Sequence, residues 1–470
     1  MRRSIAILVV LLGGAMSTGV LAEGLTDYAI GVQPGCIVGR FDAKAPPVFE
    51  AAGYADLDRR RLITPRTQFL LASASKQFTA LAAVLLAEKG KLRLDDPARR
   101  WLPEMAGAVG DATIEQLLHQ TAGVRDHTTL LTLSGVERLG AVDRRATLAM
   151  MARLQRTNFL PGSRAQYSNG NYLLLSEIVA RASGMPFERY LDQAIFQPLG
   201  MGDSFALPAV SRRPAEIAHG YRPLRAGGFG LADDRPATSG SGGVVTSMRD
   251  LARFDRDFHL GRTVWRPAVR AAMLRPGRLA GGETAVLPEF GTPYGAGLGL
   301  ETRGDDLRVS HDGGAEGFVV EYARLVKARR GAAALCNRVD ADPSALVEAA
   351  LPAAQPAAAS ATAAPSTSPA LPPTPFTDLA VIAGRYRSAE LDATYVFRPK
   401  GEGFEVEITS PLTPSPIIDS WGALKRHGPA EFGTGPIRVV YETANGRATR
   451  LTLRFGRRVE GLVFDRVEDR

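Results

Sequence analysis

Cysteine is scarce in this chain, and several familiar catalytic signatures are absent. Only two cysteines, Cys36 and Cys336, occur among 470 residues, and no C-x-x-C motif supports a thioredoxin-type redox site. The two could pair in an oxidising compartment, or they could be two buried small apolar residues. The sequence also lacks a G-x-S-x-G elbow and an H-E-x-x-H motif, so an α/β-hydrolase lipase and a zinc peptidase lack support. We expect neither a metal nor a cofactor.

Lysine is the second residue type in short supply. Only seven of the 57 basic residues are lysines, and no basic run extends beyond residues 59–61. The formal net charge of +8 is modest for this length, so binding of nucleic acid is not expected. A chain that uses arginine for nearly every cation yet keeps Lys76 indicates a chemical need, because lysine can lose its proton and arginine cannot.

The first 22 residues have the composition of a secretory signal. Arg2 and Arg3 precede an apolar run that ends on Val-Leu-Ala, which suits cleavage after Ala22. The alternative is an uncleaved anchor helix, but glycines within the run make it short for a membrane span. We therefore expect residues 1–22 to be removed and the mature protein to be periplasmic or secreted, with no stable membrane span.

A linker divides the rest of the chain in two. Residues 352–375 contain seven prolines and no charged residue, which is typical of a linker. Residues 376–470 consist of short alternating segments with turn signals and predict a small antiparallel β-barrel or sandwich. Residues 23–351 have strand-like segments at both ends and helical patterns between them. This order predicts a two-lobed α+β domain, with an antiparallel sheet, a helical lobe and a cleft between them.

The segment FLLASASKQFTALAAVLLAEKG, residues 69–90, predicts an amphipathic helix that ends at Gly90. Ser73 and Lys76 lie near its beginning at i and i+3, where side chains are neighbours. A serine hydroxyl is a poor nucleophile until a base removes its proton. A lysine can be that base if burial and nearby cations lower its pKa from about 10.4 to roughly 7 to 8.

Two further motifs follow in order. Tyr167-Ser168-Asn169 lies at the beginning of a predicted helix, and His311-Asp312-Gly313 lies at the end of a predicted strand. With Ser73-x-x-Lys76, they make the chain resemble the serine β-lactamase and penicillin-binding-protein-like family, in particular its class C-like branch with D,D-peptidases, D-aminopeptidases and esterases. The likeness runs from about residue 30 to 340 and includes LLHQTAG, IFQPLGM and SGGVVTSMRDLARF.

The resemblance implies roles for the first two motifs. Ser73 would be the acylated nucleophile, Lys76 its base partner, and Tyr167 the group that transfers a proton to the leaving group. A tyrosine near two cations can also have its pKa lowered and act as a base. Asn169 would hold Lys76 or a substrate amide, and it could equally cap the helix that follows. The backbone N–H groups of Ser73 and Gly314 would form the oxyanion hole.

The third motif departs from the family pattern. His311 stands where the family's lactamases usually have a lysine, so a fixed cation for a substrate carboxylate becomes a titratable imidazole. If Asp312 faces the cleft, it opposes the carboxylate of penicillins and favours a neutral or cationic substrate end. Strand alternation could instead turn it away. Gly313 and Gly314 would let the strand backbone approach the acyl group.

The resemblance also bears on the cysteines. The family's central sheet places its first strand beside its last, and Cys36 and Cys336 lie on the candidate first and last strands. A cross-strand disulfide is therefore a hypothesis.

The function expected from the sequence is that of an exported serine hydrolase with an acyl-enzyme on Ser73. Its substrate would be an ester, a D-amino-acid amide or peptide, or a β-lactam, with small molecules or peptides, including those derived from peptidoglycan, as partners. One alternative is a D,D-peptidase-like penicillin-binding protein. Another is a non-catalytic binding protein that uses the fold and the C-terminal barrel. The role of the barrel stays open.

Overall fold

Two antiparallel sheets and a helical lobe form the protein. The computed structural model describes residues 24–207, 217–233, 239–351 and 374–468. The predicted signal at residues 1–22 lies outside the described residues, as do residues 352–373 of the predicted linker. In the described ranges, no helix combines the length and the apolar character that crossing a membrane requires. The limits 23–351 and 376–470 stay predictions.

The first sheet has six strands from the two ends of the first domain. They are β1 (Cys36–Asp42), β2 (Ala45–Ala52), β3 (Gly299–Arg303), β4 (Asp306–Ala315), β5 (Phe318–Leu325) and β6 (Arg330–Cys336). Their order is β3-β4-β5-β6-β1-β2, and every neighbouring pair is antiparallel. Because β1 pairs with β6, the two ends of the domain meet in one sheet. The helices between β2 and β3 are therefore an insertion, as the sequence predicted.

A disulfide joins Cys36 to Cys336 across β1 and β6. The two residues lie directly opposite each other in the strand register and are fully buried. Val38, Ala334 and Leu346 pack around them in a small apolar cluster on one face of the sheet.

The helices cover both faces of this sheet and form the second lobe. They are α1 (Lys76–Glu88), α2 (Gly107–Asp111), α3 (Ile114–Leu118), α4 (His127–Leu133), α5 (Arg144–Ala152), α6 (Asn169–Ser183), α7 (Phe187–Leu191), α8 (Gln197–Leu199), α9 (Ser239–Gly242), α10 (Met248–Leu260), α11 (Pro267–Leu274) and α12 (Pro343–Ala350). A further helix, α13 (Leu379–Ile382), packs on the C-terminal sheet. Although α1 was expected to be amphipathic, every residue from Lys76 to Leu86 is buried. Other elements surround this helix on all sides, which is the position of a core helix.

Shorter elements connect these parts. The 3₁₀ helices are Thr26–Tyr28, Ala72–Ser75, Ala98–Arg100 and Leu139–Ala141, and Asp192–Phe196 is a π-helical turn. The short strands are Tyr54–Asp56, Arg61–Leu62, Gln68–Leu70, Phe205–Ala206, Tyr221–Pro223, Phe229–Leu231, Val244–Ser247, Val286–Leu287 and Thr292–Pro293.

The C-terminal sheet is a curled antiparallel sheet of ten strands. They are β7 (Thr374–Pro375), β8 (Gly384–Ser388), β9 (Ala393–Lys400), β10 (Gly403–Thr409), β11 (Ile417–Trp421), β12 (Lys425–Gly428), β13 (Glu431–Thr434), β14 (Ile437–Ala444), β15 (Arg447–Phe455) and β16 (Val459–Arg466). Their order is β7-β12-β13-β14-β15-β16-β8-β9-β10-β11. The predicted turn between β14 and β15 is present, with positive φ at Asn445 and Gly446. The α+β architecture with a barrel-like C-terminal domain is thus confirmed.

Replacing Cys36 and Cys336 together by alanine should lower the free energy of unfolding by about 2 to 5 kcal/mol, the usual cost of removing a native disulfide. Chemical denaturation of the two proteins measures the difference. Alkylation of the denatured wild-type chain without reductant should leave its mass unchanged. Addition of two alkyl groups would show two free thiols and contradict the pairing.

Candidate active site

Ser73 lies on the 3₁₀ turn that leads directly into α1. The preceding residue, Ala72, has a φ of 45°, in the left-handed region that few non-glycine residues adopt. The N–H of Leu71 donates to the carbonyl oxygen of Val244 at 2.9 Å and holds the turn from behind. Ser73 is therefore partly exposed, although the residues on both sides of it are buried.

The side chain of Lys76 is fully buried and has three oxygen acceptors. Its Nζ lies 3.1 Å from Ser73 Oγ, 2.8 Å from Asn169 Oδ1 and 2.7 Å from the carbonyl oxygen of Ser241. An ammonium would donate to all three. A neutral amine would donate to Asn169 and Ser241 and turn its lone pair to the serine hydroxyl. Nζ also lies 4.8 Å from the centroid of the Tyr167 ring, so the structure brings these four predicted residues together.

Burial lowers the pKa of Lys76 to about 7. The Asp126 carboxylate and, more weakly, Asp312 oppose this shift, whereas the Arg458 guanidinium adds to it. Burial dominates because the charged ammonium loses its hydration in the protein interior. Near neutral pH, a large fraction of Lys76 is therefore a neutral amine that can accept a proton.

Tyr167 precedes α6 and is almost completely buried beside Lys76. Burial raises its pKa above the ordinary value, although a hydrogen bond with Ser73 and the nearby Arg458 act in the opposite direction. The sequence-based hypothesis of a lowered tyrosine pKa therefore does not describe the free protein, because desolvation outweighs the cations. Tyr167 is a protonated phenol at neutral pH.

Asn169 begins α6 and connects Lys76 to a buried carboxylate. Its backbone N–H and its Nδ2 both donate to Asp126 Oδ2, at 2.8 and 2.9 Å. Because Nδ2 is the donor to this carboxylate, Oδ1 is the atom that faces Lys76. Asp126 Oδ1 caps α4 by accepting from the N–H of Thr129 at 3.0 Å. The cap of α6 is Ser168, so the interpretation of Asn169 as the helix cap is wrong.

Strand alternation separates the four residues of the HDGG segment on β4. His311 and Gly313 point into the protein, whereas Asp312 and Gly314 are exposed. A Cβ at Gly313 would come within 2.2 Å of the carbonyl oxygen of Leu71, so only glycine lets β4 approach the turn that carries the serine. Gly314 lines the same cavity as Ser73.

His311 does not line this cavity, so its position fits support of the site rather than contact with a substrate carboxylate. Its Nδ1 lies 2.5 Å from the Asp312 carbonyl oxygen, an acceptor, so Nδ1 carries the proton. Its Nε2 then accepts from the Tyr294 hydroxyl at 3.0 Å. Burial, with a smaller contribution from Lys76, lowers the pKa of His311 to about 3. The imidazole is therefore a neutral support behind the strand.

The cavity beside Ser73 has a volume of about 390 Å³. Its lining residues include Ser73, Tyr167, Phe290, Asp312, Gly314 and Arg458. The Asp312 side chain is 65% exposed and faces this space, which answers the question that strand alternation left open.

The residues of the site that escaped the sequence analysis include Asp126, Tyr294 and Arg458. Asp126 has a local signal, because an aspartate three residues before Thr129 is typical of a helix cap, but that signal does not predict the contact of its second oxygen with Asn169. Arg458 lies 332 residues from Asp126, on a turn of the C-terminal sheet. No local pattern connects it to the site.

The fold and the site define a serine hydrolase of the β-lactamase and penicillin-binding-protein class. The family model described as Beta-lactamase matches residues 33–356, and the chain belongs to that family. The D-aminopeptidase of Cereibacter sphaeroides is 28% identical over 321 residues, which cover 68% of this chain and 60% of that protein. Penicillin-binding protein 4* of Bacillus subtilis is 30% identical over 299 residues, which cover 61% of this chain and 64% of that protein.

These alignments span less than two thirds of each relative's own length. A solved structure extends the likeness in fold through the C-terminal sheet. The crystal structure of SurE has a TM-score of 0.59 and 23% identity, and the match covers 94% of this chain and 96% of SurE.

Selective ¹³C labelling of lysine should show one resonance of the seven lysines with a titration midpoint near pH 7, because burial destabilises the Lys76 ammonium. NMR spectra recorded from pH 5 to pH 11 measure the midpoints. The resonance should be missing in Lys76→Met and retained in Lys44→Arg, a change at an exposed lysine. Midpoints above pH 9 for all seven lysines would contradict the site as described.

Proposed function

We propose that this protein hydrolyses amides or short peptides of D-amino acids through an acyl-enzyme on Ser73. The observation that carries the proposal is the contact of 3.1 Å between Lys76 Nζ and Ser73 Oγ, in which the amine has a pKa of about 7. A lysine with an ordinary pKa would be protonated near neutral pH and could not accept the serine proton. Here the base and the nucleophile are already in hydrogen-bond contact.

Acylation would begin with transfer of the Ser73 hydroxyl proton to Lys76 as Oγ attacks the substrate carbonyl carbon. The carbonyl π bond opens as the Oγ–C bond forms, and negative charge develops on the carbonyl oxygen. The backbone N–H groups of Ser73 and Gly314 would stabilise this charge, and one such donor is worth about 10² to 10³ in rate.

Departure of the amine would require a proton, and Tyr167 is the donor we propose. Its raised pKa keeps the phenol protonated at neutral pH, so the hydroxyl can protonate the leaving nitrogen as the C–N bond breaks. The Lys76 ammonium, whose Nζ lies 4.8 Å from the centroid of the Tyr167 ring, would then return its proton to the phenolate. Attack of water on the acyl-enzyme would use the same groups in reverse and release the acid.

The charge of Asp312 supports a substrate with a free amino group. In the described part of the chain, the ion-pair contact of Asp312 is with His311, at 3.7 Å, and that ring is neutral near pH 7. The two arginines that line the cavity are paired with other carboxylates, Arg308 with Glu321 at 2.5 Å and Arg458 with Asp126 at 3.3 Å. An uncompensated carboxylate attracts an ammonium and repels the carboxylate of a β-lactam. The name of the Cereibacter relative, D-aminopeptidase, supports the same substrate class.

We also propose that the protein is exported to the periplasm or the medium. The apolar run of the first 22 residues supports this, and so does the disulfide between Cys36 and Cys336, because structural disulfides persist in oxidising compartments.

The substitution Asp312→Asn should lower kcat/KM for D-alanine p-nitroanilide by about tenfold or more, since losing an ion pair of about 1.4 kcal/mol corresponds to that factor. The loss should lie in KM. The N-acetylated substrate has no ammonium and should be cleaved equally by both proteins. Release of p-nitroaniline measures all of these rates.

The matched control is Asp305→Asn, which removes a carboxylate near the other end of β4, where the side chain is 82% exposed and paired with Lys327. A fluorophosphonate should label wild-type Ser73 and should not label Ser73→Ala. Failure of this labelling would refute the acyl-enzyme. An unchanged kcat/KM in Asp312→Asn would refute only the substrate assignment, and a penicillin adduct on Ser73 would then favour the penicillin-binding alternative.

A further inference from the structure

The C-terminal sheet reaches the cavity that contains Ser73. Arg458 lies on the turn between β15 and β16, and its side chain lines this cavity. The guanidinium carbon is 5.0 Å from the centroid of the Tyr167 ring, and Nη1 donates to Asp126 Oδ2 at 3.3 Å. The C-terminal domain therefore forms part of the wall of the site.

The backbone of this turn is held from two sides. The carbonyl oxygen of Arg458 accepts from the N–H of Asp126 and from Asn158 Nδ2, both at 3.1 Å. The N–H of Glu460 donates to Asn158 Oδ1 at 2.8 Å. Three hydrogen bonds to the first domain thus fix the backbone of the turn that carries the Arg458 side chain.

Further contacts anchor the sheet behind the turn. Arg125, which is 1% exposed, pairs with Glu390 at 2.8 Å and donates to the carbonyl oxygen of Gly461 at 3.2 Å. Ser410 Oγ donates to the carbonyl oxygen of Ser134 at 2.7 Å. A buried ion pair tolerates little displacement, because separating its members leaves an unpaired charge in the interior. The position of Arg458 is therefore well defined.

We propose that Arg458 is a positioning residue for the Lys76 and Tyr167 pair, so that the C-terminal domain completes the catalytic site. The inference rests on the proposed function, in which Lys76 accepts the Ser73 proton. Asp126 Oδ2 is shared between Arg458 and Asn169, and Asn169 Oδ1 holds Lys76. Arg458 thus contacts the Asp126 carboxylate, which orients Asn169, the hydrogen-bond partner of Lys76.

Arg458 also compensates for the charge of Asp126. The carboxylate of Asp126 is buried, and without a cation of its own it would act as the counter-ion of Lys76 and favour the ammonium. With Arg458 bound to Oδ2, this attraction is reduced, and a second cation lies near the amine. Both effects favour the neutral form of Lys76, in which it can act as a base.

Among the described residues, the other titratable groups around Lys76 do not compensate for the charge of Asp126 as Arg458 does. The titratable and charged groups facing Lys76 are Asp126, which caps α4, His127 of α4, Tyr167, Tyr172 of α6, His311 and Asp312 of β4, and Arg458. Burial lowers the pKa of His127 to about 4 and that of His311 to about 3, and burial raises the pKa of both tyrosines. Near pH 7 the charged neighbours are therefore two carboxylates and one guanidinium.

The test is the titration midpoint of the Lys76 ¹³C resonance in Arg458→Gln and in Arg457→Gln. Arg457 is the exposed neighbour on the same turn, so its replacement removes the same charge outside the cavity. Arg458→Gln should raise the midpoint by about 0.5 to 1 pH unit, because a nearby cation is lost. Fluorophosphonate labelling of Ser73 at pH 7 should slow by about two- to fivefold, as the neutral fraction of Lys76 falls. Arg457→Gln should match the wild type in both measurements.

The conservative variant Arg458→Lys distinguishes loss of the positive charge from disruption of the local structure. Arg458→Lys keeps the cation and should keep the midpoint close to that of the wild type, whereas a merely structural role would make it behave like Arg458→Gln. An unchanged midpoint in Arg458→Gln, or an equal shift in Arg457→Gln, would overturn the inference. Absence of labelling in the wild type would instead refute the proposed function, and the NMR midpoints would still decide the role of Arg458.

Discussion

The burial of one lysine amine is the constraint on which the rest of the site depends. A buried amine must find hydrogen-bond acceptors, because leaving its N–H groups unpaired in the interior is costly. Lys76 finds them on two distant segments, the side chain of Asn169 and the carbonyl oxygen of Ser241. The segment that provides the carbonyl packs closely on α6, since a Cβ at Gly240 would come within 2.3 Å of Ser176 Cβ. The segment that accepts from Lys76 and the helix that begins with Asn169 are therefore held close together in the helical lobe.

The same constraint explains the arrangement of charge. An amine that works as a base must not have a strong counter-ion, yet Asp126 is needed to orient Asn169. Both requirements are met because Arg458 of the C-terminal domain donates a hydrogen bond to the Asp126 carboxylate. On the cavity side, the ion-pair contact of Asp312 among the described residues is with His311, which is neutral behind the strand. In the proposed function, the carboxylate of Asp312 at the cavity would select the substrate, whereas Asp126 and Arg458 behind Lys76 would act on the base.

Much of the fold was predictable because its signals are local. The capping box of Thr113 and Gln116, the end of α6 at Gly184 and the turn at Asn445 and Gly446 are all present as short-range patterns indicate. Strands β12 and β13 of the C-terminal sheet have no such signal, because they are short and lack clear apolar alternation. Their pairing follows from their neighbours in the sheet.

By itself, the sequence determined the order of the elements, the family and the residue types at Ser73, Lys76 and Tyr167, because helix starts, strand alternation and motif spacing act over a few residues. Only the tertiary structure decided the protonation of Lys76, the raised pKa of Tyr167 and the pairing of the cysteines. It alone brought Arg458 to the site. The physical reason is that desolvation, strand register and the field of a distant charge depend on groups far apart along the chain, which no local pattern encodes.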